Sequence, residues 1–338
     1  ALTTLEKGER WLVEPKKLDD EGMQWTPGVK IGVAPGSTTH LTEFFGPVLG
    51  IMRAKDLDEA IRLQNAVDYG LTAGIHSLDS DEVATWLDRV EAGNLYVNRG
   101  ITGAIVQRQP FGGWKRSAVG AGAKAGGPNY LFGLGDWAPA ELPAAATGAA
   151  ITAPIEALLT AAGSDLDAVE IEWLHRAAAA DERAWTSEFG TVSDKSGLGV
   201  ERNVFRYRPV ETDVRIAENA PLVEGIRVIA AALRSGSPFT VSAPALPSKV
   251  EKALRAHGVS VSHAKDAAWV KAYAKAAAKA AHSWKRLRLV GGDASELFDA
   301  LGGTPDVAVW SHAVTGAGRV EMLPFLHEQA VSITNHRF

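Results

Sequence analysis

Four short apolar stretches between Phe239 and His312 alternate with helical stretches, and this alternation constrains the fold more than any other feature. The four stretches read FTVSAPA, VSVSHA, RLRLVGG and DVAVWSH. Each intervening segment has roughly the length that a crossover between parallel strands requires. This part of the chain is therefore predicted to form a parallel sheet with helices packed on it.

The first part of the chain also alternates between strand and helix patterns, which predicts an α/β layer architecture. Strands are expected at 10–15, 29–35, 46–54, 71–77 and 94–98, with 46–54 buried. Helices are expected over 57–70 and after Asp79. The Ala- and Pro-rich segment Ala138–Pro154 is interpreted as a linker. We therefore expect a first domain at 1–137, a linker at 138–154 and a Rossmann-like parallel-sheet domain at 155–338.

Within the second domain, the pattern predicts several further elements. Residues 155–189 are expected to be helical with a break at 163–165, and Glu201–Val210 alternates like a strand. A helix is predicted between Pro221 and Gly236, because Pro favours the start and Gly the end of a helix. The chain is expected to close with a helix and one more strand, AVSIT.

Composition excludes several classes of function. The 338 residues contain no cysteine, so disulfides, thiolate metal sites and cysteine nucleophiles are all ruled out within this chain. The nine histidines include no H-x-x-x-H pair, and a metal site is not expected. The net charge of −5 and the lack of a basic arm do not support nucleic-acid binding. No apolar stretch is long enough to cross a membrane, which fits a cytoplasmic location.

The segment from Asn98 to Asn129 is predicted to form a binding site. It contains eight glycines and no acidic residue, and it follows the strand pattern NLYVN. Thr102, Gly103 and Ala104 form a small-residue turn whose backbone amides could bind a carboxylate. The turn Gln109–Gly113 could place Phe111 opposite as an aromatic wall. A glycine-rich surface loop without a ligand is an equally good interpretation of the pattern.

A second candidate lies in TEFFGPV, residues 42–48. The carboxylate of Glu43 could accept two hydrogen bonds at once, for example from adjacent ribose hydroxyls. Phe45 could lie beside a flat ring. The alternative is an exposed glutamate next to two core phenylalanines, and spacing alone favours that alternative.

Three other segments match functional motifs only in part. GAGAKAGG, residues 120–127, resembles a dinucleotide-binding loop, but no strand leads into it and its glycine spacing differs from G-x-G-x-x-G. LRLVGGDASEL could bind an anion at the start of a helix, although a plain strand-to-helix turn is the better interpretation. Lys271–Arg286 is basic but is typical of an Ala-rich helix with a solvated lysine face.

The motifs together resemble a known family. Glu43–Val48, followed by QPFGG, is similar to the aldehyde dehydrogenase superfamily. The longer string NRGITGAIVQRQPFGGWKRSAVGAGAKAGGPNYL resembles L-glutamate-γ-semialdehyde (Δ1-pyrroline-5-carboxylate) dehydrogenase, in the version fused behind proline dehydrogenase in bacterial proline utilization A. ERNVFRYRP, RLRLVGGDA, DVAVW and PFLHEQAVSITNHRF resemble the extra C-terminal domain of the longer members.

The resemblance implies a role for each candidate residue. Glu43 would bind the nicotinamide ribose of NAD, and Phe45 would lie near the nicotinamide. Thr102, Gly103 and Ala104 would anchor the α-carboxylate of L-glutamate-γ-semialdehyde, and Phe111 would line the aliphatic part of the substrate tunnel. FAD is expected in the absent proline dehydrogenase domain, which would also make any contact with the membrane. A homo-oligomer is expected, with the upstream domains of the same polypeptide as partners.

The chain departs from the family at one decisive point. The family's nucleophilic cysteine and most of its nucleotide-binding domain lie upstream of the Glu-x-Phe-Gly-Pro motif, and this chain has no cysteine. We therefore expect a C-terminal fragment that contains no catalytic residue and is inactive alone. Its second domain is expected to be non-catalytic and to cover an internal cavity through which the intermediate passes. The alternatives are an inert structural or oligomerisation module, or part of another aldehyde dehydrogenase.

Overall fold

The computed structural model describes residues 1–120, 122–140, 150–279 and 285–334. The chain separates into two units by its internal contacts. The first unit comprises residues 1–70 and 75–91, and the second comprises residues 71–74 and the chain from residue 92 onward. In the described ranges, no helix is both long and apolar enough to span a bilayer.

A three-stranded sheet organises the first unit. The order is β1-β2-β3, with β1 antiparallel and β3 parallel to β2. The strands are β1 (Arg10–Val13), β2 (Gly28–Ile31) and β3 (Val48–Ile51). The strand predicted at 46–54 is present, but Leu49 is 57% exposed, so the expected burial is wrong. The reason is that β3 lies at the edge of the sheet.

Short capped helices complete the first unit. They are α1 (Thr38–Leu41), α2 (Leu57–Asn65) and α3 (Ser80–Arg89). Asp56 caps α2 by accepting from the Glu59 amide at 2.8 Å, and Asp79 caps α3. Such side chains satisfy the amides that a helix leaves unbonded at its start. Helix α2 ends before the predicted stop at Gly70, since Tyr69–Gly70 form strand β4.

A four-stranded sheet in the second unit joins early and late parts of the chain. Its order is β5-β6-β14-β8, from strands β5 (Thr72–Ile75), β6 (Asn94–Val97), β8 (Glu201–Pro209) and β14 (Leu326–Thr334). Strand β14 is parallel to β6 and antiparallel to β8. The expected closing strand AVSIT is confirmed, but it begins earlier, because Leu326 already pairs with Pro209. The short strand β7 (Trp114–Lys115) lies between β6 and β8 in sequence.

A five-stranded parallel sheet forms the rest of the second unit. The four predicted strands are confirmed, and a fifth lies at the centre, in the order β11-β10-β9-β12-β13. The strands are β9 (Thr212–Ile216), β10 (Phe239–Ala243), β11 (Ser260–His263), β12 (Lys285–Val290) and β13 (Val307–Trp310). Sequence patterning misses β9 because it contains Asp213 and Arg215. The Arg215 side chain is nevertheless buried, with hydrogen bonds to Ser242 and the Ala264 carbonyl.

Helices pack on this sheet over a large apolar core. They are α4 (Ala153–Ala162), α5 (Ala168–Ala184), α6 (Leu222–Ser235), α7 (Ser248–Ala256), α8 (Asp266–Lys279), α9 (Ala294–Ala300) and α10 (Gly318–Glu321). The predicted break at 163–165 is confirmed, and α6 follows Pro221 and ends at left-handed Gly236, as expected. The proposed domain boundary stays a prediction, and residues 141–149 of the expected linker lie outside the described residues.

Two buried ion pairs lie in the second unit: one joins α5 to α6, and the other joins α10 to β12. The Arg227 guanidinium donates to both carboxylate oxygens of Asp181, each at 2.7 Å, and both side chains are fully buried. Glu321 of α10 pairs with Arg288 of β12 at 3.1 Å, again with no exposure. Glu321 also accepts a hydrogen bond from the Thr315 amide at 2.8 Å. Removing one charge of such a pair leaves its partner buried and uncompensated, which costs about 3–5 kcal/mol.

We expect Glu321→Gln to reduce the acid sensitivity of the fold. Burial acts to raise the pKa of Glu321, but Arg288, a hydrogen bond with His312, and Arg227 outweigh it and lower the pKa to about 2. A carboxyl group with a depressed pKa stabilises the fold above its ordinary value of 4.5, and this contribution is lost as the pH falls towards 2. Between pH 4.5 and pH 2, the free energy of unfolding of the wild-type chain should therefore fall by roughly 3 kcal/mol more than that of the variant.

Denaturant titrations at several pH values between 4.5 and 2 measure this difference. Glu172→Gln, at an exposed position of α5, should keep the wild-type pH dependence. Parallel pH profiles for wild type and Glu321→Gln would contradict the prediction.

Candidate functional site

The predicted anchor turn is an exposed loop that follows β6. Thr102, Gly103 and Ala104 are all exposed. Gly103 has φ +99°, a conformation that other L-residues rarely adopt. Its carbonyl accepts a hydrogen bond from the Tyr96 hydroxyl at 2.9 Å. Among the described residues, the amides of Gly103 and Ala104 find no acceptor, so both are available to a ligand.

Both ends of this loop contact one carboxylate that sequence analysis did not single out. Arg99 donates to Glu201 at 3.2 Å, and Arg108 donates to it through Nε at 3.1 Å. Glu201 lies at the start of β8 and its side chain is 12% exposed. No local signal marks Glu201, because it lies about a hundred residues downstream of the loop.

The turn that carries Phe111 is fixed on both sides. The amide and carbonyl of Phe111 pair with Ala125 at 3.0 and 2.9 Å. Asn94 of β6 accepts from the Gly112 amide at 3.1 Å and donates to the Pro110 carbonyl at 3.0 Å. The backbone of Phe111 is therefore held between the end of the glycine-rich segment and β6.

A buried lysine supports the same turn. Lys124 is 1% exposed, and its ammonium donates to Asn94 at 2.9 Å and to the Gly112 carbonyl. Burial lowers the pKa of Lys124 to about 7, although the charge of Glu328 opposes this. Glu328 of β14 accepts from the Lys124 amide at 2.7 Å and from Asn129 at 2.8 Å. Lys124 thus gives the Phe111 turn a buried support.

The loop and the Phe111 turn lie in the same region of the second unit. A Cβ built on Gly126 would come within 3.2 Å of the Val106 side chain, so the glycine-rich segment lies against the loop. Gly126 directly follows Ala125, the backbone partner of Phe111. Val106 of the loop and the backbone of Phe111 therefore both lie against the same glycine-rich segment.

The other two predicted residues lie in the first unit. Glu43 follows α1 and is exposed, and Phe45 is 95% exposed with φ +51°. The alternative of two core phenylalanines is wrong for Phe45, since its ring is almost fully accessible. Left-handed backbone at a bulky residue is uncommon and marks a constrained turn.

The second glycine pair, Gly291–Gly292, forms a closed turn. The Gly292 amide donates to the Asn219 side chain at 2.8 Å, and a Cβ on Gly291 would meet the same side-chain oxygen at 2.7 Å. Asp293 caps α9 by accepting from the amides of Ser295 and Glu296. In the described part of the chain, no group of three or more His, Asp or Glu side chains is arranged to hold a metal ion.

Comparison with known proteins agrees with the sequence resemblance. Residues 3–132 match the aldehyde dehydrogenase family. The 1-pyrroline-5-carboxylate dehydrogenase of Bacillus thuringiensis is 42% identical over 113 residues, which are 33% of this chain and 22% of that protein. A 1-pyrroline-5-carboxylate dehydrogenase from Thermus, solved with bound NAD, is 42% identical over 35% of this chain and 22% of its own, with a TM-score of 0.33.

One solved structure matches almost the whole chain. Proline utilization A from Corynebacterium freiburgense is 42% identical, with a TM-score of 0.76, over 99% of this chain and 30% of that protein. The chain therefore spans less than a third of the length of these relatives. Residues 3–132 are an aldehyde dehydrogenase family segment, and the chain as a whole has the α/β fold of part of a proline utilization A.

Proposed function

We propose that this chain supplies the substrate-anchoring and ribose-binding residues of an NAD-dependent L-glutamate-γ-semialdehyde dehydrogenase that is fused to proline dehydrogenase in the parent protein. The observation that carries the proposal is the exposed turn with two unpartnered amides at Gly103 and Ala104. Resemblance to 1-pyrroline-5-carboxylate dehydrogenases supports the choice of substrate. The product is glutamate, and the pathway is proline catabolism.

The anchor acts through the backbone. Consecutive amides that point into one turn bind an anion without a charged side chain. The amides of Gly103 and Ala104 hold the two oxygens of the substrate's α-carboxylate, and the Thr102 hydroxyl adds a third donor. The aliphatic part of the substrate then passes Phe111, whose backbone is held by Ala125 and Asn94.

The first unit contributes to cofactor binding. The exposed carboxylate of Glu43 would accept hydrogen bonds from the ribose hydroxyls of NAD, and the exposed ring of Phe45 would contribute to binding the nicotinamide. NAD, when bound, accepts the hydride. Because the chain has no cysteine, the thiol that attacks the aldehyde belongs to another part of the parent protein. The residues of this chain bind and orient the substrate and the cofactor, and the chain alone is inactive.

The five-stranded sheet has a structural role in this proposal. In open parallel sheets, ligands bind beyond the carboxyl ends of the strands where the strand order reverses, which here is at β9. Asn219 follows β9 and closes the Gly291–Gly292 turn with its own side chain. We infer that this sheet binds no dinucleotide. It serves assembly of a homo-oligomer and helps to enclose the path of the intermediate.

Replacing Gly103 by alanine should weaken substrate binding in the full-length enzyme. At φ +99°, an alanine is strained and displaces the neighbouring amides from the carboxylate. We expect the KM for glutamate semialdehyde to rise roughly tenfold, with less effect on butanal, which has no carboxylate. Steady-state kinetics with both aldehydes measure this.

Gly100→Ala is the matched control for Gly103→Ala. It lies in the same loop, its φ is not left-handed, and a Cβ there would meet no atom within 4 Å. Its kinetics should equal those of the wild type. Equal losses on both aldehydes in Gly103→Ala would argue for a different aldehyde dehydrogenase substrate.

Glu43→Gln should weaken NAD binding to the full-length enzyme. Loss of a charge-assisted hydrogen bond costs about 1.5–3 kcal/mol. Titration of NAD by fluorescence or calorimetry gives the dissociation constant directly. Glu14→Gln, another exposed glutamate of the same unit, should leave affinity unchanged. Wild-type affinity and turnover in Glu43→Gln would remove the ribose-binding assignment.

A further inference from the structure

We propose that Glu201 positions the anchor loop, and through it the amides of Gly103 and Ala104, for the substrate's carboxylate. The inference rests on the proposed function of that loop and adds a positioning residue from a distant part of the chain. Glu201 lies far from the turn in sequence, and among the described residues its hydrogen bonds include those from Arg99 and Arg108 at the two loop ends.

Both ends of the loop converge on one carboxylate. Arg99, before the turn, donates to Oε2 of Glu201 at 3.2 Å. Arg108, after the turn, donates to Oε1 from Nε at 3.1 Å and also from Nη2. Glu201 therefore closes residues 99–108 into a loop, with the turn near its middle.

Glu201 is itself held in place by hydrogen bonds. The Asn203 side chain donates to its Oε1 at 2.8 Å, and the Asn203 amide donates to Asp194 at 2.8 Å. Burial acts to raise the pKa of Glu201, but hydrogen bonds from Arg108 and Asn203 and the charges of Arg108 and Arg99 outweigh it and lower the pKa. The acceptor is thus a fixed carboxylate.

The turn at residues 102–104 has little other support among the described residues. Apart from the Tyr96 hydroxyl on the Gly103 carbonyl, no side chain in the described ranges makes a hydrogen bond to residues 102–104. Ordering a free backbone residue costs conformational entropy, so a loop whose ends are not held would populate many conformations. Closing its two ends reduces that freedom before the substrate binds.

Other hydrogen bonds at the ends of the loop remain when Glu201 is replaced, and they limit the expected loss of order. Arg99 also donates to Ser332 of β14 at 2.7 Å, and Gln109 donates to Asn203 at 2.7 Å. Glu201→Gln removes the charge but leaves these bonds, so the sheet should still form. The loop should loosen without global unfolding.

The test uses Glu201→Gln in the full-length enzyme. We expect a KM for glutamate semialdehyde raised roughly tenfold, with kcat, the KM for butanal and the KM for NAD unchanged. A merely structural defect would move all of these together. Trypsin cleavage after Arg99 and Arg108 should also accelerate roughly tenfold, because a loosened loop is a better protease substrate.

Glu182→Gln provides the matched control. Glu182 pairs with Arg234 at 3.0 Å, and its side chain is 19% exposed, so it is a similarly buried glutamate–arginine pair in the same unit. Glu182→Gln should change neither trypsin cleavage at the anchor loop nor the ratio of the KM values for the two aldehydes.

The outcomes separate the inference from the function on which it rests. Wild-type cleavage in Glu201→Gln, or equal changes on both aldehydes, would overturn the positioning role even if Gly103→Ala remains selective. Faster cleavage with unchanged KM values, together with an unselective Gly103→Ala, would overturn the function proposed for the loop. Faster cleavage with a selective rise in KM supports both.

Discussion

The insertion of β14 between β6 and β8 is the constraint on which the site depends. Its nine residues pair with β8 along their full length, and Ala330–Ile333 also pair with β6. Backbone hydrogen bonds of such a ladder define one register, and a shift by one residue would turn every side chain to the other face. The register places Ser332 beside Arg99 and Glu328 beside Lys124.

Two supports of the site follow from that register. Glu201 and Ser332 hold the ends of the anchor loop, and Glu328, through Lys124 and Asn94, holds the turn of Phe111. In each case a charged group is buried and compensated by opposite charge and hydrogen bonds, which makes the geometry costly to change. The loop residues are themselves small or exposed, so their positions are fixed by residues in other parts of the fold.

Much of the architecture could be predicted because it follows from local patterns. Alternating strand and helix segments, Pro221 before α6 and Gly236 after it, and the cap at Asp79 are all readable within a few residues. Strand β9 could not be predicted in this way. Its Arg215 carries a charge that only burial against Ser242, Ala264 and Asp266 makes compatible with a central strand.

The sequence by itself determined the α/β class, the absence of a thiol nucleophile and the small-residue turn at Thr102–Ala104. These depend on residue identity and short spacing. Only the tertiary structure decided that Glu201 closes that loop and that the buried Lys124 donates to Asn94 and the Gly112 carbonyl beside Phe111. Such contacts join residues far apart in sequence, and their energies come from burial and charge pairing that exist only after the late strands have joined β6.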